Sequence, residues 1–131
     1  MRLLLDTHVA LSLLRRAFAQ QYPDIARHLA DPSTAGFVSV ASLWEAAIKT
    51  RLGKLDPGMP LEDIATYLDT VGLSILPIEA RHVIVSADPE TQTRDPFDRL
   101  LLAQCHVENL RLVTVDRALL EHPLALKIGP A

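Results

Sequence analysis

Short apolar runs alternate with helix-like patterns along this chain, and this alternation limits the possible folds more than any other feature. The runs are mostly apolar and have apolar residues at successive positions, which is typical of strands buried on both faces. They lie at residues 2–5, 37–39, 73–76 and 111–115, with a further edge strand at 124–128. Such strands form parallel sheets that helices cover on both sides. The sequence therefore predicts an α/β fold with three layers and a central, mostly parallel sheet.

The segments between these runs carry helical spacing and recognisable ends. Thr7 is a candidate cap for the first helix, and glycines at 53 and 72 are candidate stops for two others. The predicted helices cover residues 8–19, 23–30, 61–71, 79–86, 97–108 and 117–121, with one more that follows the second strand and ends at residue 52.

Two aspartates each end a predicted strand. Asp6 follows the apolar run Leu3–Leu5, and Asp116 follows the run at 112–115, with the hydroxyl of Thr114 two residues earlier. In open parallel sheets, ligands bind at the carboxyl ends of the strands. We therefore expect Asp6 and Asp116 to meet at one edge of the sheet, although 110 residues separate them in sequence.

Two further acids interrupt apolar helices. Glu45 lies among leucine, tryptophan, alanine and isoleucine, and an exposed pair with Lys49 is its alternative role. Asp98 begins a helix and precedes leucines on its own face, whereas Asp95, next to a proline, is the better candidate for a helix cap. Carboxylates that converge repel one another, and a hard divalent cation such as Mg²⁺ or Mn²⁺ removes that repulsion.

Composition excludes several classes of protein. The chain has 131 residues, 49% of them hydrophobic, which suits a single globular domain and argues against disorder. Its net charge of −3 gives no overall basic signal for nucleic acid, and one cysteine excludes an internal disulfide framework and fits a reducing cytoplasm. Asp6 and His8 interrupt the first apolar run before it reaches the length of a signal-peptide core, and no run reaches the length of a membrane span.

Other catalytic arrangements have little support. The five histidines show no metal-binding spacing, and the five glycines form no phosphate-binding loop. Basic residues flank the acids and, as a set, are able to hold a phosphate backbone: Arg94, Arg99, Arg117, Lys49 and Arg51.

At these residues the chain resembles the PIN-domain family, and within it the VapC-type toxins. The similarity lies in "LLLDTH" at 3–8, "SVASLWEAAIKTRLGKL" at 39–55, "RDPFDRLLLAQC" at 94–105 and "LVTVD" at 112–116. The resemblance implies a single PIN-like domain over residues 1–131 and a Mg²⁺- or Mn²⁺-dependent endoribonuclease. It assigns the catalytic and metal-binding roles to Asp6, Glu45, Asp98 and Asp116, with Asp95, Thr114 and Arg99 as auxiliary residues.

The resemblance also implies partners. These are an RNA substrate, a cognate antitoxin protein whose basic side chain competes for the metal site, and a second copy of the chain in a homodimer. An aspartyl-phosphate phosphatase needs a second acid two residues after Asp6, where this chain has His8, and a phospho-receiver domain needs an acidic pair where it has Asp6–Thr7. A catalytically silent PIN scaffold that only binds protein or RNA is the remaining alternative.

Overall fold

A four-stranded parallel sheet forms the centre of the protein in a computed structural model that describes residues 1–127. The strands are β1 (Arg2–Leu5), β2 (Ala35–Ser39), β3 (Ser74–Leu76) and β4 (Arg111–Val113), in the spatial order β3-β2-β1-β4. All three strand pairs are parallel, with Leu5 opposite Val38 on one side and Val113 on the other. The predicted α/β fold is confirmed.

Eight α-helices connect and cover the strands in the described residues. They are α1 (Thr7–Leu14), α2 (Phe18–Gln21), α3 (Pro23–Ala30), α4 (Val40–Arg51), α5 (Ile64–Thr70), α6 (Ala80–Ile84), α7 (Pro96–Glu108) and α8 (Arg117–Leu120), with a 3₁₀ turn at Leu61–Asp63 before α5. Within residues 1–127, no helix is both long and apolar enough to cross a membrane.

The side chains of β1 alternate between two separate apolar clusters, one on each face of the sheet. Leu3 and Leu5 lie in the cluster covered by α1, α3 and α5, and Leu4 lies in the cluster covered by α7 and α8. All three leucines are fully buried. Because both faces are covered, the strand is apolar at successive positions, and the three-layer arrangement is confirmed.

The first predicted helix is shorter than expected. It ends at Leu14, where the N–H of Arg16 bonds to the carbonyl of Leu13 and the N–H of Ala17 bonds to that of Ser12. Arg16 has a φ of 60°, so this is a Schellman-type end with arginine where glycine is usual. The helical spacing over 8–19 gave no sign of this break. It lets the chain turn so that Phe18 packs against the core.

Other boundaries differ by a few residues. The last strand of the sheet ends at Val113 rather than at residue 115, so Asp116 follows a short extended segment. The predicted edge strand at 124–128 is reduced to a single parallel bridge between Leu112 and Ala125, and residue 128 lies outside the described part of the chain. Asp6, rather than Thr7, caps α1, and its Oδ1 accepts the N–H of Val9 at 3.0 Å.

Candidate functional site

The carboxyl ends of β1 and β4 bring Asp6 and Asp116 to the same edge of the sheet. The two strands are adjacent, and the N–H of Asp6 continues their pairing with a bond of 2.9 Å to the carbonyl of Val113. The Thr114 hydroxyl lies between the two acids: it donates to Asp6 Oδ2 and accepts the N–H of Asp116 at 3.1 Å. Thr114 therefore fixes the position of one aspartate relative to the other.

Asp6 is buried, with 3% of its surface exposed. Burial raises its pKa, while the hydrogen bonds from Thr114 and the Val9 N–H oppose that shift. The neighbouring charge of Asp116 adds to the increase. Asp116 is exposed and caps α8, where its Oδ1 accepts the N–H of Ala118 at 2.9 Å.

Glu45 is the second buried acid, 7% exposed, and it lies in the middle of α4. Its two carboxylate oxygens have separate partners: Thr7 donates to Oε1 at 2.7 Å, and Lys49 donates to Oε2 at 2.7 Å. The pair with Lys49 therefore forms, but around a buried acid rather than on an exposed surface. Thr7 was not assigned to the site from the sequence, although its position directly after Asp6 was a signal that it lies there.

Asp98 differs from the other acids because no group in the described residues donates a hydrogen bond to its half-buried carboxylate. Its pKa is raised to about 7, first by burial and then by the charges of Asp95, Asp116, Glu45 and Asp6. These influences show that the four predicted acids converge, because such charges act strongly only at short range. The pKa of Lys49 is raised by its hydrogen bond with Glu45 and also by the charges of Asp95 and Asp98.

The three predicted auxiliary residues have different surroundings in the structure. Asp95 is exposed and caps α7, accepting the N–H of Phe97 at 2.8 Å. Its charge still reaches Asp98. Arg99 points to the 90–93 loop, where it pairs with Glu90 and donates to the carbonyl of Thr93 at 2.8 Å. Arg99 thus holds that loop, while Asp95 and Thr114 adjoin the acids.

The donor set at the sheet edge fits a hard divalent cation. Four carboxylates with two adjacent hydroxyls form an all-oxygen set of candidate ligands, and no donor in the described part of the chain forms a hydrogen bond with Asp98. Within residues 1–127, the acids do not close to a spacing at which three ligand atoms lie within 4.8 Å of one another. Repulsion keeps like charges apart, and a cation between them would relieve it.

A different group does reach that spacing in the described residues, namely Glu79, His82 and Glu108. Arg81 occupies its centre, 2.9 Å from Glu79 Oε1 and also in contact with Glu108. His82 Nδ1 accepts the backbone N–H of Glu79, so the ring proton is on Nε2 and is donated to Glu108 at 2.9 Å. A metal would have to replace both this proton and the guanidinium, and the group is therefore an ion-paired network.

Two of the helices that carry acids are joined by a buried hydrogen bond. Ser39 donates to Gln104 Oε1 at 2.6 Å, and the Gln104 amide donates to the carbonyl of Pro77 at 3.2 Å. Ser39 caps α4, which carries Glu45, and Gln104 lies on α7, which carries Asp98. Both side chains are fully buried. This contact fixes the two helices relative to each other, and sequence reasoning gave it no role.

Replacing Gln104 with methionine should lower the free energy of unfolding by about 2 kcal/mol, because it leaves the Ser39 hydroxyl and the Pro77 carbonyl without their buried partner. Urea denaturation measures the change. Gln20→Met, at an exposed position in α2, is the matched control and should have almost no effect. Equal stability of the two variants would mean that the buried contact contributes little.

The raised pKa of Asp98 predicts a pH-dependent stability difference. Between about pH 4 and pH 7 the unfolded carboxyl loses its proton while the folded one keeps it, so folding stability falls as pH rises and levels off above 7. The advantage of Asp98→Asn over wild type should therefore grow across this range. Urea titrations in EDTA from pH 4.5 to 8 measure this difference in stability, with Asp69→Asn, at an exposed position in α5, as the control. A difference that does not change with pH would contradict the raised pKa.

This three-layer α/β domain, with acids gathered at the carboxyl edge of a parallel sheet, matches known proteins at two levels. The sequence profile of the PIN domain family matches residues 3–123, and the chain therefore belongs to the PIN domain family. A comparison with curated protein sequences gave no match.

Among solved structures, the fold is similar to a chain in the crystal structure of VapBC2 from Rickettsia felis bound to a DNA fragment from their promoter. The TM-score is 0.63 over 96% of this chain and 96% of that chain, with 16% sequence identity. At this identity the similarity concerns the fold.

Proposed function

We propose that this protein is a Mg²⁺- or Mn²⁺-dependent endoribonuclease that hydrolyses RNA phosphodiester bonds. The observation that carries the proposal is Asp98, a half-buried carboxylate without a hydrogen-bond donor in the described residues. Burial, and then the charges of Asp95 and the three other acids of the cluster, raise its pKa to about 7. Membership of the PIN domain family supports the same conclusion.

The cation would be held by Asp6, Glu45, Asp98 and Asp116. When bound, it supplies a Lewis acid that lowers the pKa of a water molecule and offsets charge on the reacting phosphate. Asp6 is oriented by Thr114 and the Val9 N–H. Three of the acids have fixed hydrogen-bond partners, and Asp98 brings the charge that completes the site.

Glu45 has a second role through its own partners. Thr7 and Lys49 hold its two oxygens, so the carboxylate keeps one orientation. In that orientation Glu45 is able to accept a hydrogen bond from the attacking water. No histidine pair or attack by a 2′-hydroxyl is needed, and single-stranded loops expose the backbone best.

We further propose that the protein is the VapC-type toxin of a toxin–antitoxin pair and acts in the cytoplasm as a homodimer. The motifs at residues 3–8, 39–55 and 94–105 and the fold similarity to a VapBC2 complex support this. In this proposal a basic side chain of the antitoxin enters the acid cluster and neutralises the charge that a metal neutralises.

Antitoxin and metal should then weaken each other's binding, by about tenfold, because linkage between two ligands is reciprocal. Anisotropy titrations of a labelled antitoxin peptide at low and high Mg²⁺ measure the effect. Equal affinities would mean that any inhibition works by blocking access of RNA.

The nuclease proposal is tested by incubating the purified protein with a mixed pool of single-stranded RNA, with and without Mg²⁺ or Mn²⁺. Cleavage that requires the metal and stops with EDTA is expected. A protein that binds RNA or a partner protein but never cleaves in either metal would instead be the catalytically silent scaffold.

A further inference from the structure

Trp44 is the largest apolar side chain that lies exposed beside the acids. It is 59% exposed and is the only tryptophan of the chain. On a helix, successive side chains point about 100° apart, so Glu45 faces the buried cluster while Trp44 faces outward beside it. An indole of this size usually has much of its surface buried in a folded protein, and its exposure beside the acids leaves it available to a ligand.

A second aromatic ring holds Trp44 in place. Phe97 contacts it edge-on, with ring centroids 5.6 Å apart and an interplanar angle of 74°. Phe97 directly precedes Asp98, as Trp44 directly precedes Glu45. In an edge-to-face pair at most one face of the indole is covered, so at least one face stays open to solvent. The ring is therefore both oriented and available for stacking.

Three exposed arginines lie on the elements that carry the acids, or directly next to the acids in sequence. Arg94 and Arg117 adjoin Asp95 and Asp116, and Arg51 lies seven residues after Trp44 on the same side of α4. All three arginines are exposed, and none has a carboxylate within 4.0 Å among residues 1–127. Arg51 shares the side of α4 that carries Trp44, and an exposed arginine there is suited to a phosphate that flanks a stacked base.

We propose that Trp44 is the stacking platform for a nucleobase of single-stranded RNA next to the phosphate held at the acid cluster. The proposal deepens the nuclease function and rests on it. The Cα atoms of Trp44 and Glu45 are about 3.8 Å apart, and the contact with Phe97 holds the indole at the start of α7, which carries Asp98. A base whose phosphate is held at the acids is therefore within reach of the indole. Every base has a π-face, and the platform therefore positions RNA without selecting its sequence.

Because Trp44 is the only tryptophan, its fluorescence reports directly on this surface. The wild-type protein, with Ca²⁺ in place of Mg²⁺ to prevent cleavage, is titrated with a mixed-sequence single-stranded oligoribonucleotide and with an abasic oligonucleotide of the same length. Quenching by the first and much weaker quenching by the second is expected. This measurement needs no variant and therefore does not depend on how a substitution affects folding.

Labelled RNA then gives affinities for variants by anisotropy. Trp44→Ala should weaken binding about tenfold, whereas Trp44→Phe should stay within about threefold of wild type because a stacking ring remains. Leu52→Ala is the matched control, since Leu52 follows α4 and is 62% exposed, and it should bind as wild type does. Thermal melts check that each variant is folded.

The outcomes separate this proposal from the nuclease function. RNA cleavage by wild type with unchanged affinity in Trp44→Ala would overturn the platform and leave the nuclease. Absence of both RNA binding and cleavage would overturn both. Fluorescence that responds to an antitoxin peptide but not to RNA would assign the surface to a protein partner and reject the nucleobase.

Discussion

Asp98→Asn is expected to reduce metal-dependent RNA cleavage by about 10³-fold, the rate equivalent of about 4 kcal/mol of transition-state stabilisation. The amide has nearly the shape of the carboxylate but no charge, so a cation at the site loses one negatively charged ligand. No hydrogen bond from the described residues holds that carboxylate in the wild-type protein. The fold should remain intact, because removing one of several converging charges relieves repulsion. Cleavage of a fluorescent single-stranded RNA under single-turnover conditions measures the rate.

The matched control is Asp69→Asn, which makes the same chemical change on the exposed surface of α5. It should cleave RNA as fast as wild type. Both variants are purified in parallel, so that a contaminating nuclease would show equally in each preparation. Full activity in a folded Asp98→Asn protein would reject the assignment of the acid cluster as the active site.

Saturating Mg²⁺ or Mn²⁺ is expected to stabilise the folded protein by about 2.7 kcal/mol at a concentration 100 times the dissociation constant. For a chain of this size that corresponds to an increase in melting temperature of roughly 10 °C. The gain arises because the cation binds only where folding has brought the carboxylates together. Thermal melts with EDTA and with increasing metal measure it, at a pH above 7 where Asp98 is ionised.

Two variants locate the metal that causes this shift. Asp98→Asn should lose most of it, whereas Glu79→Gln, in the group formed with His82 and Glu108, should keep it. The opposite pattern would place the cation in that second group after displacement of Arg81. A wild-type protein whose melting temperature does not change with either metal would count against a metal site in the acid cluster.

The sequence by itself determined the layers of the fold and the edge where the acids lie. Apolar runs without alternation require a sheet covered on both faces, and parallel strands place their carboxyl ends together. Asp6 follows β1 directly and Asp116 lies close after β4, so their meeting at one edge could be predicted from a parallel sheet, whereas the structure shows that β1 and β4 are neighbours. The position of Asp98 in the first turn of a helix could be predicted as well, since Asp95 and the proline that follows it mark where this helix begins.

Local spacing could not predict contacts between distant segments. The end of α1 at Leu14 depends on a left-handed backbone turn at Arg16. This turn accompanies the packing of Phe18 against the core on that face of the sheet. The bond from Thr7 to Glu45 depends on where α1 and α4 cross, and the bond between Ser39 and Gln104 joins residues 65 positions apart.

The state of each acid was likewise decided by tertiary structure. Three aspartates at strand and helix ends and one glutamate inside a helix all carry the same charge, but packing buries Asp6 and Glu45 with donors and leaves Asp116 exposed. Asp98 remains half-buried, with no donor from the described residues, because α7 presents it to the other charges rather than to a hydrogen-bonding group. Sequence fixes which residues can carry charge, whereas the packing of helices around the sheet sets the solvation and neighbours that determine each pKa.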